Sequence, residues 1–113
     1  MSDTIYPVKL YVTLTSPYAR LARIVVLEKE LDDKVEQIIA KTRQAGSPYY
    51  EVNPSGRVPC LVLSNGTRLE ESQLVCSYLD HLDSAPLFEP PSGTEGLQVR
   101  WLEAMARSLL DGL

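Results

Sequence analysis

Histidine and cysteine are scarce in this chain of 113 residues: there is one His, His81, and there are two Cys, Cys60 and Cys76. Their spacing is neither that of a Cys-x-x-Cys redox pair nor that of a zinc-ligand set, and a disulfide-stapled mini-fold needs more of them. Both cysteines lie in apolar runs, where a free cysteine behaves as a small buried hydrophobe. Basic charge is also short, with 11 Lys and Arg against 15 Asp and Glu and a formal net charge of −4. Phosphate binding needs a basic surface, so the balance argues against nucleic acid as the main ligand. No apolar run approaches the roughly 18–20 residues of a membrane span. The opening Met1-Ser2-Asp3-Thr4-Ile5-Tyr6-Pro7 has no basic stretch followed by an apolar one, so no secretory signal is visible. The expectation is a soluble, cytoplasmic protein with no membrane partner.

What is present is ordinary globular usage, 44% hydrophobic and 23% charged. That supports one domain with a real core, or one domain and a piece of another, and argues against disorder. Val8 to Leu14 alternates and is rich in β-branched residues, which predicts a strand. Thr15-Ser16-Pro17 stops it. Ser16 is a favoured N-cap, and Pro17 suits the first helical position, where its missing N–H is no loss. Leu21, Ile24, Val25, Leu27 and Leu31 then fall mostly on one face, predicting a helix to about Glu30. With Val35 to Ala40 as a second strand this makes a βαβ unit, whose strands should run parallel.

Thr42 to Asn53 is polar and can hold at most a short helix. The turn-rich Asn53-Pro54-Ser55-Gly56-Arg57-Val58-Pro59 leads into a third strand, Cys60 to Leu63. Asn65-Gly66 signals a tight hairpin, so Thr67 to Glu70 should be a fourth strand, antiparallel to the third. Ser72 reads as the cap of another helix, with Leu74, Val75, Tyr78, Leu79 and Leu82 as its apolar stripe. Residues 84–96 are a linker by composition. Beyond them Leu97, Trp101, Leu102, Met105, Leu109 and Leu113 recur at helical spacing.

The βαβ–ββα order with a Val-Pro at the entrance to the third strand is the thioredoxin-like arrangement. Three motifs stand on it in order: Ser16-Pro17-Tyr18-Ala19-Arg20, Asn53-Pro54-Ser55-Gly56-Arg57-Val58-Pro59-Cys60-Leu61 and Leu69-Glu70-Glu71-Ser72. Together they resemble the amino-terminal, glutathione-binding domain of the glutathione transferases, over about residues 8–83 and on into the last helix. The resemblance implies an α/β fold with a four-stranded mixed sheet in residues 1–83. A linker at 84–96 and the first helix of an incomplete all-helical domain at 97–113 would follow. It also implies that the apolar stripe of that helix would be covered by further helices.

The resemblance assigns roles to particular residues. Val58-Pro59 would be a cis peptide, with the Val58 backbone pairing strand-like with the cysteinyl unit of glutathione. Glu71 would meet the γ-glutamyl ammonium and Ser72 its carboxylate, helped by the positive end of the helix dipole. On the residues alone, Ser72 is an N-cap and Glu71 a solvated charge. Ser16 would donate a hydrogen bond to the glutathione sulfur and favour the thiolate. A cysteine there would instead suggest thiol exchange through a mixed disulfide. Ser16 as a cap and nothing more remains the alternative. Tyr11, earlier in the first strand, is open to burial by alternation. For the glycyl end of glutathione, Lys41 and Gln44 are in the right region, and neither is singled out.

The function implied is conjugation of glutathione, as co-substrate, with a small electrophile, by an enzyme that needs no metal or further cofactor and is a homodimer at full length. Two other readings keep the same motifs: a non-catalytic binding or regulatory protein, and a glutathione-dependent isomerase or dehalogenase.

Overall fold

A computed structural model describes residues 6–90 and 92–112 of the chain. The opening Met1 to Ile5 and the last member of the apolar stripe, Leu113, lie outside the described residues. The elements are β1 (Val8–Val12), α1 (Pro17–Glu28), β2 (Val35–Ile39), α2 (Tyr49–Val52), β3 (Cys60–Val62), β4 (Arg68–Leu69), α3 (Ser72–His81) and α4 (Gly93–Asp111). The sheet order is β2-β1-β3-β4, with β1 parallel to β2 and antiparallel to β3, and β3 antiparallel to β4. This is the four-stranded mixed sheet of a thioredoxin-like fold.

Alternation along β1 sets the two faces of the sheet. Val8, Leu10 and Val12 point into the main core with Ala19, Ala22, Val25 and Val26 of α1 and Val75 and Leu79 of α3. Small residues at 19 and 22 let α1 lie close to the sheet. Fully burying each large apolar side chain here is worth roughly 1.5–3 kcal/mol. Tyr11 faces the other way, into a second cluster with Ala40, Tyr49 and Cys60. Cys60 is fully buried there, and Cys76 is half-buried on α3. Burial pushes both thiols up, Cys76 to about 11, so both are protonated at neutral pH.

Several elements end earlier than their sequence pattern. β1 stops at Val12, because the Thr13 hydroxyl accepts from the Ser16 amide at 3.2 Å and turns the chain, leaving Leu14 exposed. α1 stops at Glu28, and Glu30 takes φ +52°. Ser72 does not cap α3 but is its first residue. Glu71 occupies the cap position without a side-chain cap bond. α4 begins at Gly93, inside the stretch that reads as linker, with Glu95 in its first turn facing the positive end of the helix.

Residues 82–90 are tied down by charges on two helices. Lys29 Nζ, at the end of α1, donates to Asp83 Oδ1 at 2.9 Å and to the Asp80 and Ala85 carbonyls at 2.6 Å each. Asp80 accepts from the Leu87 amide at 2.8 Å and the Phe88 amide at 3.0 Å. α4 then returns across the helical layer but stands off from it, leaving a cavity of about 700 Å³ lined by Leu21, Ile24, Cys76, Phe88, Ala106 and Leu110 among others. Its apolar stripe points away: Leu97, Trp101, Leu102 and Leu109 are each at least 60% exposed. No helix among the described residues is long and apolar enough to cross a membrane.

Candidate functional site

Strand directions bring the three motifs to one edge. Tyr11 pairs with Cys60 across antiparallel β1 and β3, and Leu61 pairs with Leu69 across antiparallel β3 and β4. The C-terminal end of β1, the start of β3 and the C-terminal end of β4 therefore lie together. Ser16, Val58–Pro59 and Glu71–Ser72 all issue from that edge. Among the described residues, no hydrogen bond joins these five to one another.

Ser16 sits at the N-cap of α1, and its Oγ accepts from the Ala19 amide at 3.1 Å. Its own O–H has no acceptor among the described residues. The hydroxyl is thus both a cap and a free donor beside the positive end of α1.

The approach to β3 is built by a buried network. Asn53, with no exposed surface, donates from Nδ2 to the Arg57 carbonyl at 3.1 Å, and Tyr49 donates its O–H to the same carbonyl at 2.6 Å. Burial is the main reason the Tyr49 phenol is held well above its ordinary pKa, so it stays a donor. The Ser55 hydroxyl donates to Glu70 Oε1 at 2.9 Å, tying the turn to the exit of β4. Gly56 has φ +71°, and a Cβ there would stand 2.6 Å from Cε1 of Tyr50. Gly56→Ala should therefore destabilise the fold by about 1–3 kcal/mol in urea unfolding, from the left-handed backbone plus a displaced ring. An unchanged midpoint would show that Tyr50 moves aside freely and the backbone relaxes. The turn delivers Val58 to the edge half-buried, ahead of a cis peptide to Pro59. The Val58 N–H and C=O make no hydrogen bond within the described residues.

Ser72 opens α3 and is 4% exposed, yet its buried Oγ has no hydrogen-bond partner among the described residues. Buried hydroxyls are nearly always paired, so an orphan at a helix N-terminus marks a place where a polar group is missing. Its neighbour Glu71 is largely exposed and pairs with Arg107 of α4, Oε1 to Nη1, at 3.1 Å. Gln73, on the other side of Ser72, donates from Nε2 to Glu103 of α4 at 2.7 Å. The Arg107 guanidinium lies 6.0 Å from the centre of the Tyr18 ring, and the Tyr18 hydroxyl donates to Asp111. That bond to Asp111 is the main cause holding the Tyr18 phenol above its ordinary value.

Glu103, Arg107 and Asp111 were not singled out by sequence reasoning. Their spacing of four puts them on one helical face, a visible signal, but nothing in the chain says what that face meets. Lys41 and Gln44, also near the edge, make no side-chain contact among the described residues that would assign either a role.

Residues 15–82 match the family described as "Glutathione S-transferase, N-terminal domain". The chain is 33% identical over 103 residues to the uncharacterized GST-like protein YibF of Escherichia coli K12, covering 91% of this chain and 50% of that protein. It is 32% identical over 77 residues to the glutathione S-transferase GstA of Escherichia coli O157:H7, covering 66% of this chain and 38% of that one. Among solved structures it resembles a glutathione S-transferase of Methylobacillus flagellatus with glutathione bound. The TM-score is 0.78 at 35% identity, over 92% of this chain and 50% of that one. The chain thus spans about half the length of these relatives, or less.

Proposed function

This chain belongs to the glutathione S-transferase family, and we propose that it binds glutathione along the shared sheet edge and holds its sulfur as a thiolate for attack on a small electrophile. The observation that carries the reading is the orphaned Ser72 hydroxyl at the N-terminus of α3, beside the carboxylate of Glu71. In this reading the γ-glutamyl carboxylate supplies the missing partner of Ser72, and its ammonium meets Glu71. The open N–H and C=O of Val58, ahead of Pro59, pair with the cysteinyl unit. The glutathione-bound relative from Methylobacillus flagellatus supports the choice of ligand.

The chemistry then falls to Ser16. A thiol has an ordinary pKa of about 8.5, and the N-terminus of a helix lowers it. The free O–H of Ser16 donates to the sulfur and stabilises the anion further, and the thiol proton leaves to water. The thiolate lone pair forms the carbon–sulfur bond, and the leaving group departs with its electron pair. No metal or additional cofactor enters the step. In the same proposal residues 1–83 are the glutathione-binding unit, and the helix within 97–113 opens a helical unit that contributes to the electrophile site. The protein is then a cytoplasmic homodimer.

Ser16→Ala tests the assignment. A hydrogen bond to a charged group is worth about 1.5–3 kcal/mol, so conjugation of an aryl halide should slow roughly 10- to 100-fold. Glutathione affinity should change little, and the rate should rise with pH along a thiol pKa shifted upward. Because the hydroxyl also caps α1, the fold should lose about 1 kcal/mol. Loss of stability with an unchanged rate and pH profile would make Ser16 a cap alone.

A further inference from the structure

Arg107 stands at the proposed γ-glutamyl end with most of its hydrogen-bonding capacity unspent. A guanidinium carries five N–H donors in a rigid fork. Among the described residues this one meets a single acceptor, Oε1 of Glu71. It is nonetheless held in place. Its side chain is 21% exposed and lies over the Tyr18 ring, and Tyr18 is itself braced by Asp111. One turn earlier on α4, Glu103 is tied to Gln73. α4 is thereby fastened to residues on both sides of Ser72, whose hydroxyl has no partner among the described residues.

A lone carboxylate beside an orphan hydroxyl suits an ammonium. A carboxylate and a guanidinium side by side suit a zwitterion. Resting on the glutathione reading above, we infer that Arg107 is a specificity-determining residue that binds the α-carboxylate of the γ-glutamyl unit together with Ser72. Glu71 then has two tasks: one oxygen orients Arg107 and the other takes the ligand ammonium. The fork geometry of Arg matches a carboxylate in two parallel hydrogen bonds, which Lys cannot reproduce. Selectivity for an α-amino-acid end over a simple amine or acid follows from using both charges of the pair.

The test pairs variants with truncated ligands in calorimetric titrations. Glutathione is compared with 4-aminobutyryl-cysteinyl-glycine, which lacks the α-carboxylate, and with glutaryl-cysteinyl-glycine, which lacks the amine. Arg107→Gln should weaken glutathione binding about 10-fold or more and leave the aminobutyryl peptide within about twofold of wild type. Glu71→Gln, which keeps one oxygen to accept from Arg107, should weaken both of those peptides and spare the glutaryl one. Arg107→Lys should recover part of the loss, and circular dichroism of each variant checks that the helices persist. Equal loss for glutathione and the aminobutyryl peptide would overturn the inference, because the effect would then not pass through the carboxylate. Tighter glutathione binding by Arg107→Gln would also overturn it, making Arg107 a competitor for Glu71. If the wild-type protein binds none of the three peptides, the glutathione reading falls and this inference with it.

Discussion

Asp80→Ala should lower the free energy of unfolding by about 2–4 kcal/mol in urea denaturation at neutral pH. The carboxylate is buried, and it is the acceptor for the amides of both Leu87 and Phe88. Each donor left without a partner costs about 1–3 kcal/mol, less where water reaches it. The same change removes the ion pair to Lys29 Nζ at 3.3 Å, in a place where both side chains are almost fully covered. Asp80→Asn keeps an acceptor oxygen and should lose less. The pH dependence has a definite sign. Burial favours the neutral acid, but the two amides and Lys29 outweigh it and hold Asp80 below the ordinary carboxylate value. Such a group contributes stability that is present above its ordinary pKa and lost as pH falls through the folded one. The gap between wild type and Asp80→Ala should therefore be full at pH 7 and narrow below about pH 4. A loss under about 0.5 kcal/mol at neutral pH would show that solvent replaces the carboxylate, and that the path from α3 to α4 is held by other contacts.

Asp80 also marks where sequence reasoning stops. β1, α1 and β2 are legible because each carries its own pattern: alternation in Val8–Val12, a Ser-Pro start at α1, and β-branched Val35, Ile38 and Ile39 in β2. The sheet edge that gathers Ser16, Val58, Pro59, Glu71 and Ser72 is legible for the same reason, since strand directions follow from the connections. Lys29 and Asp80 carry no such signal. Each is a charged residue on an amphipathic helix, where a solvated face is the natural reading, and they are brought together only by the packing of α1 on α3. Serine's preference for the cap position predicts Ser72 there, whereas the chain leaves β4 with Glu71 already in extended geometry at that place. The polar face of α4 at Glu103, Arg107 and Asp111 is periodic and visible, but its partners at residues 18, 71 and 73 belong to tertiary structure. Local patterns specify elements, and long-range charge pairs are settled only when the elements meet.

Ser72→Ala should change stability and binding in opposite directions. Among the described residues the buried hydroxyl has no partner, a position that costs about 1–3 kcal/mol relative to a paired one. Alanine removes the unpaired group and is the better helix former. The free variant should then be at least as stable as wild type, by up to about 1 kcal/mol. If glutathione supplies the partner that Ser72 lacks, the variant also loses a hydrogen bond to a charged ligand, and its affinity should fall about 10-fold or more. Ligand binding stabilises a fold by RT ln(1 + [L]/Kd), about 2.7 kcal/mol at a hundred times Kd and about 1.4 kcal/mol after a tenfold loss of affinity. Urea unfolding with and without glutathione should thus show the variant level or ahead when free, and level or behind when ligand is present at a hundred times the wild-type Kd. A variant less stable than wild type when free, with unchanged affinity, would mean that the hydroxyl is satisfied within the fold. The γ-glutamyl end would then have to be held elsewhere. A ligand that supplies the partner accounts for a serine at the start of α3, where the described residues offer its buried hydroxyl none.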